Sequence, residues 1–234
     1  MKRNLLAAAF FAATLTGCPG MEIVDPVHEI EGDEFLVVMP FKDPDFPDRW
    51  DSNPRGHDAA RLTTEVLSRE ADFGVRAYED VLGLYLAEDV TKLSPRDVAA
   101  LCKADYVLLC DFERLELRDP KNINMVQGTA RVKVRLFQVE RRTPEEEEKE
   151  RRRADEQRRA REAAGIGPLD WDRGGRFVAK AERVIEARYP SDFMHPGGDI
   201  FLPEDQVQEG LMRAVANKVA KLYYPHPKEK IETD

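Results

Sequence analysis

Apolar and polar positions alternate along this chain with two distinct periods, and the periods divide it into elements. Glu34 to Phe41 (EFLVVMPF) is a continuous apolar run stopped by Pro40, which predicts a short strand buried on both faces. Ala59, Leu62, Thr63, Val66 and Leu67 fall at helical spacing and predict a helix over 58–73, stopped by Gly74. Val75 to Tyr78 reads as a short strand. Residues 79–90 read as one or two helical turns with Val81, Leu82, Tyr85 and Leu86 inward. Ser94-Pro95-Arg96-Asp97 is a helix start, with a capping hydroxyl, proline in the first turn and an acid three residues on. Val98, Leu101 and Cys102 form the apolar face of that helix. Asp105 to Phe112 (DYVLLCDF) is the densest apolar run and predicts a central strand, extended by Leu115 and Leu117.

Two long segments then alternate with period two. In residues 125–139, Ala130, Val132, Val134 and Leu136 interleave with Arg131, Lys133 and Arg135, so one face is dry and one wet. The alternation slips at Phe137, which predicts a bulge or an edge. In residues 177–189, Phe177, Ala179, Ala181, Ile185 and Ala187 share a side. The two segments predict a long hairpin. Val207, Leu211, Val215, Val219 and Leu222 then define a last helix opened by Pro203-Glu204-Asp205. These elements give an α/β (α+β) class: one domain over 34–222, with a mixed sheet of four to five strands flanked by helices. A polar tail of residues 223–234 follows.

Between the hairpin strands lies a charged insertion, residues 143–165. Fifteen of the eighteen residues from Glu145 to Glu162 are charged. Glu145 with Lys149, Glu147 with Arg151 and Glu148 with Arg152 are helical i, i+4 pairs, acids first. It has no apolar stripe, so it is no coiled-coil seam. A solvated helix and a charged docking arm both fit.

The amino terminus changes the picture more than any element of the domain. Lys2 and Arg3 precede an apolar run from Leu5 to Leu15, followed by small residues. Eleven helical residues span roughly 16 Å, about half a hydrocarbon core. The run therefore reads as a secretory signal over residues 1–17 rather than a spanning anchor. Leu15-Thr16-Gly17-Cys18 resembles a bacterial lipobox. That resemblance implies cleavage between Gly17 and Cys18 and diacylglycerol on the Cys18 thiol, with acyl chains (palmitate among them) as the membrane attachment. The alternative is an uncleaved start with Cys18 as an ordinary residue. Pro19, rather than Asp, follows Cys18, which by resemblance points to the outer membrane and a periplasm-facing domain. Residues 18–33 then read as a tether. Ile23, Val24, Val27 and Ile30 within it are apolar enough for part of it to lie against the domain.

Loss of the leader takes the formal charge from -9 to -11, since Lys2 and Arg3 leave with it. Such a balance disfavours nucleic acid and anionic lipid as partners. Cys102 and Cys110 would lie near a helix end and up the next strand, too far apart for a bridge, so two reduced thiols are expected. His28, His57, His195 and His226 show no metal spacing. Asp43, Asp45, Asp48 and Asp51 crowd one loop, but Asp48 stands where a calcium loop needs Gly. No cofactor motif, phosphate loop or nucleophile elbow occurs, and a non-catalytic protein is expected. Two loops carry residue types that dominate interfaces: Phe46, Arg49 and Trp50 in 42–57, and Phe193 and Met194 in 190–202. Phe46 and Trp50 could instead fold back as a lid on the core.

The lipobox, the run Val37-Val38-Met39-Pro40-Phe41, the helix at 58–73, the stretch Leu101-Cys102-Lys103-Ala104-Asp105-Tyr106-Val107-Leu108-Leu109 and the strand ending Val134-Arg135-Leu136-Phe137-Gln138-Val139 together carry a family resemblance. They resemble small envelope lipoproteins of the curli-secretion and penicillin-binding-protein-activator type, whose domain is similar to the TolB amino-terminal domain. The resemblance implies a mixed α/β sheet, no catalysis, and a role as an adaptor or assembly factor that binds another envelope protein. The alternative it carries is an oligomeric secretion-pore subunit like the curli channel.

Overall fold

A computed structural model describes residues 22–45, 54–87, 94–118, 127–140, 152, 159, 176–190 and 202–228. The chain divides into two compact units. The smaller brings together residues up to Asp25 and from Pro225 onward, and the larger runs from Pro26 to Tyr224.

In the larger unit the elements follow in the order β2 (Phe35–Val38), α1 (Pro54–Glu70), β3 (Gly74–Val75), α2 (Tyr78–Ala87), α3 (Pro95–Leu101), β4 (Tyr106–Glu116), β5 (Gly128–Glu140), β6 (Arg176–Tyr189) and α4 (Glu204–Ala220). They build a five-stranded sheet of order β3-β2-β4-β5-β6. β3, β2 and β4 run parallel, and β4, β5 and β6 are antiparallel neighbours. The expected mixed sheet is therefore present. From β2 the chain crosses to β3 through α1, then returns past β2 to β4 through α2 and α3. Parallel crossovers are right-handed, so this reversal puts α1 on one face and α2–α3 on the other. α4 packs on α1 and on β5 and β6, closing the first face.

Burial follows the periods. Leu36, Val37 and Val38 of β2 are all buried, as a strand covered on both faces requires. Ala130, Val132, Val134 and Leu136 of β5 are buried beneath α4, and Arg131, Lys133 and Arg135 point the other way. The slip at Phe137 is a register shift between β5 and β6: Leu136 pairs with Ala181 and Phe137 with Ala179, leaving Lys180 over. Asp105 explains the Ala104-Asp105-Tyr106 entry to β4. Its carboxylate accepts the Phe35 N–H (3.0 Å), and its own N–H donates to the Phe35 carbonyl (2.7 Å), so one residue locks the starts of two parallel strands. Within the segment read as a tether, Ile30 is buried, and the Val27 N–H donates to the Leu222 carbonyl (2.8 Å).

Four local expectations are corrected. α1 begins at Pro54 and ends at Glu70, so Gly74 does not stop it. Gly74 opens β3 opposite Phe35, where a Cβ would meet the Phe35 ring at 2.5 Å. β3 is only two residues long, and Tyr78 belongs to α2. Leu86 and Leu101 are exposed rather than inward, and Phe177 and Ala179 do not share a side with Ala181, Ile185 and Ala187, because the extra residue Lys180 flips the alternation and puts them on the face of Phe137 and Val139.

The smaller unit contains a two-stranded antiparallel ribbon, β1 (Ile23–Val24) with β7 (His226–Pro227). Lys228 closes it. Its N–H donates to the Glu22 carbonyl (2.8 Å), and its ammonium reaches both Glu22 carboxylate oxygens at 2.8 and 3.0 Å. Among the described residues no helix is long and apolar enough to cross a membrane.

Candidate interaction surfaces

The described residues on either side of the segment expected to carry Phe46, Arg49 and Trp50 are two fixed stems. The first stem continues β2 along β4: Met39 N–H donates to the Leu108 carbonyl, Lys42 N–H to Cys110, and Phe112 N–H back to Lys42. The second stem is the first turn of α1, where the Gly56 carbonyl accepts the Phe41 N–H (3.2 Å). Asp43 ties the stems together. Its carboxylate is buried; one oxygen accepts the Asp45 N–H (2.9 Å), and the other lies 3.7 Å from the Arg55 guanidinium. Arg55 also donates to Asp45 at 3.2 Å. A buried carboxylate is tolerated only when paired, and Arg55 supplies that charge from the helix start. Phe46, Arg49 and Trp50 lie outside the described residues, as do Asp48, Asp51, Phe193, Met194, His195, Gly17 and Cys18.

A second surface is the wet face of the long hairpin. Among the described residues, α3 packs at the start of β4, and the charged side chains of β5 on the face opposite α4 are half-buried to exposed. Arg131 donates to Glu113 (2.9 Å) on one neighbouring strand and to Glu186 (3.2 Å) on the other. Lys133 pairs with Glu182 (2.9 Å), and Arg135 pairs with Asp111. The face is thus a ladder of opposite charges across three strands. At its α3 end it turns apolar. Phe137 and Phe177 stack with centroids 5.5 Å apart, and the Arg96 guanidinium of α3 lies 5.2 Å from the Phe177 ring centre. Sequence reading gave Phe137 a bulge and Arg96 a place in a helix start; their meeting across β4 depends on strand order, which no local pattern encodes. Of the charged insertion only Arg152 and Arg159 are described, both with helical backbone.

Burial pushes the Cys110 thiol well up and the Cys102 thiol up as well, so neither is poised as a thiolate. His57 Nδ1 and the Tyr78 phenol are 2.5 Å apart, and burial raises the phenol far above its ordinary value. Among the described residues no group of three or more His, Cys, Asp or Glu is placed to hold a metal ion.

The described geometry defines a mixed α/β domain with a charge-laddered hairpin face. No protein-family model matches the chain, and no curated protein matches it. Several solved structures are similar at low identity. The hypothetical protein CT253 from Chlamydia trachomatis is 9% identical, with a TM-score of 0.36 over 81% of this chain and 92% of its own. PelC from Paraburkholderia phytofirmans, solved as a dodecamer, is 14% identical, with a TM-score of 0.37 over 86% of this chain and 97% of its own. Lipoprotein GNA1162 from Neisseria meningitidis is 14% identical, with a TM-score of 0.37 over 80% of this chain and 98% of its own. Likeness at this level does not extend to function.

Proposed function

We propose that the protein is a bacterial lipoprotein, held by acyl chains on Cys18 in the cell envelope, facing the periplasm from the outer membrane. It works without catalysis, as an adaptor or assembly factor that binds another envelope protein. The observation that carries this reading is Leu15-Thr16-Gly17-Cys18 closing a basic, then apolar, leader. A charge-laddered hairpin face and a segment flanked by two fixed stems suit a scaffold that presents contacts; Phe46, Arg49, Trp50, Phe193 and Met194 are the side chains proposed to make them. Intact mass of the protein recovered from membranes tests the anchor. A mass fitting a chain that starts at a diacylglyceryl-modified Cys18 is expected, and the Cys18→Ala protein should lose the modification. A chain that still starts at Met1 refutes the reading. Recovery of a crosslinked partner, undiminished by Trp50→Ala, would refute the assigned contact.

The secretion-pore alternative needs strands of about ten residues with one lipid-facing apolar side. β5 and β6 have the length, at 13 and 14 residues. Their apolar side is already buried under α4 and the other carries the charge ladder, which favours the adaptor. Channel conductance from purified protein in a planar bilayer would reverse that preference.

A further inference from the structure

We propose that the Ile23–Pro227 face of the small ribbon rests on the bilayer surface beside the anchor. The inference deepens the lipid-anchor reading and rests on it. In the ribbon Ile23 stands opposite Pro227, and Val24 opposite His226. Successive strand residues point to opposite faces, so Ile23 and Pro227 share one face. Glu22 and Lys228, one step from Ile23 and Pro227, belong to the face of Val24 and His226, where their ion pair neutralises the lysine. The ribbon face of Ile23 and Pro227 therefore carries no charged pair, whereas the other mixes the exposed Val24 with the Glu22–Lys228 ion pair. Ile23 is 53% exposed and Pro227 is exposed too.

Chain length supplies the occupant. Glu22 is already fixed by Lys228, and three residues, Pro19, Gly20 and Met21, separate it from Cys18. The four steps from Cys18 to Glu22 reach at most about 14 Å. Acyl chains hold Cys18 at the headgroup level, and apolar faces of interfacial segments sink roughly 5–10 Å into that zone. The free tether after Cys18 is thus the three residues 19–21 rather than the fifteen of 19–33 that composition suggested, and the ribbon stays within reach of lipid throughout. A chain that starts at Cys18, of formal charge -9 - 2 = -11, gains nothing by electrostatic attraction to anionic lipid, and Lys228 is already paired. The contact is apolar, and neither salt nor anionic-lipid content alters it.

The test uses the full lipidated protein in phosphatidylethanolamine–phosphatidylglycerol vesicles. An environment-sensitive nitrobenzoxadiazole label is placed at Ile23→Cys, Pro227→Cys or Val24→Cys in a Cys102→Ser background, and intact mass establishes the lipid on Cys18. Blue-shifted emission, quenched by brominated lipid and unchanged by salt, is expected at residues 23 and 227, with water-like emission at residue 24. Water-like emission at 23 and 227 with the lipid present overturns the seated face and leaves the anchor standing. Equal shifts at all three positions, or shifts that vanish in high salt, also overturn it. A blue shift at 23 in vesicle-free Cys18→Ser protein shows that a second copy, not lipid, covers the face. A lipid-free Cys18 overturns the anchor and this inference together.

Discussion

Gly210 offers the sharpest energetic test of how α4 closes the sheet. It sits in the middle of α4, over the end of β6, and a Cβ there would fall 2.2–2.4 Å from three atoms of the Tyr189 ring. Two opposing effects decide the outcome of Gly210→Ala. Alanine in a helix interior is favoured over glycine by about 1 kcal/mol. Forcing a methyl into a packed contact costs about 1–3 kcal/mol. Nearby, a Cβ on Gly128, the strand partner of Tyr189, would lie 3.0 Å from Leu211 and 3.1 Å from Val207, so the helix is close to the sheet on both sides of the ring. The clash wins, and Gly210→Ala should lose about 1 kcal/mol. In a domain of this size that is a fall in Tm of about 2–4 °C. The control is Tyr189→Ala. Without the ring only the helix preference remains, so Gly210→Ala in that background should stabilise by about 1 kcal/mol. The two effects differ by about 2 kcal/mol, well beyond the additivity expected of independent sites. Urea denaturation of the four proteins, followed by far-ultraviolet circular dichroism, measures the cycle. A stabilising Gly210→Ala in the parent background would refute the reasoning, because it would mean that the Tyr189 ring swings aside freely.

Three further outcomes follow from single residues. Lys103, in the turn from α3 into β4, has φ 52°, a left-handed conformation that costs a side-chain-bearing residue about 1–2 kcal/mol. Lys103→Gly should therefore raise the urea midpoint, by up to about 1 kcal/mol after the extra freedom glycine gives the unfolded chain; no gain would show that the turn is unstrained. Ser94 and Asp97 form a full capping box on α3, so Ser94→Ala should cost about 1 kcal/mol, read as a lower thermal midpoint, with Ser94→Asn largely restoring it. His28 lies against Tyr106, and burial, then the charge of Lys180, lowers its pKa below 6.5 despite Glu34. The folded state thus takes up its proton later than the unfolded chain. This contribution to stability is complete above pH 6.5 and is lost as pH falls below it through the folded-state value. Urea midpoints measured from pH 7.5 to 5 should fall less steeply in His28→Gln; identical slopes would remove His28 from the account.

The elements that could be read from sequence are those whose burial is set by their own period. β5 displays its dry and wet faces residue by residue, and the slip at Phe137 marked the bulge because one extra residue on β6, Lys180, resets the alternation between the two strands. α3 was legible from Ser94 to Asp97 because a cap is a local hydrogen-bonding event. Leu86 and Leu101 were misread for the opposite reason. Each has the right spacing for an inward face, but α2 and α3 are short and, among the described residues, pack on the sheet chiefly at β2 and β4, and both side chains stay exposed. Gly74 was misread because glycine ends helices and also lets a ring cross a strand. Only the pairing with Phe35 distinguishes the two uses. The surfaces divide in the same way. Aromatic residues in a polar loop are visible as composition, whereas the Asp43–Arg55 tie spans twelve residues and the Arg96–Phe177 contact joins a helix to an edge strand two positions away in the sheet. The ribbon illustrates the limit most directly. Ile23 is apolar in a segment that reads as a tether, and its ribbon partner Pro227 lies near the other end of the chain. That pairing leaves three residues between Cys18 and Glu22, and it is this short reach, invisible to local pattern, on which the proposed seating of the Ile23–Pro227 face rests.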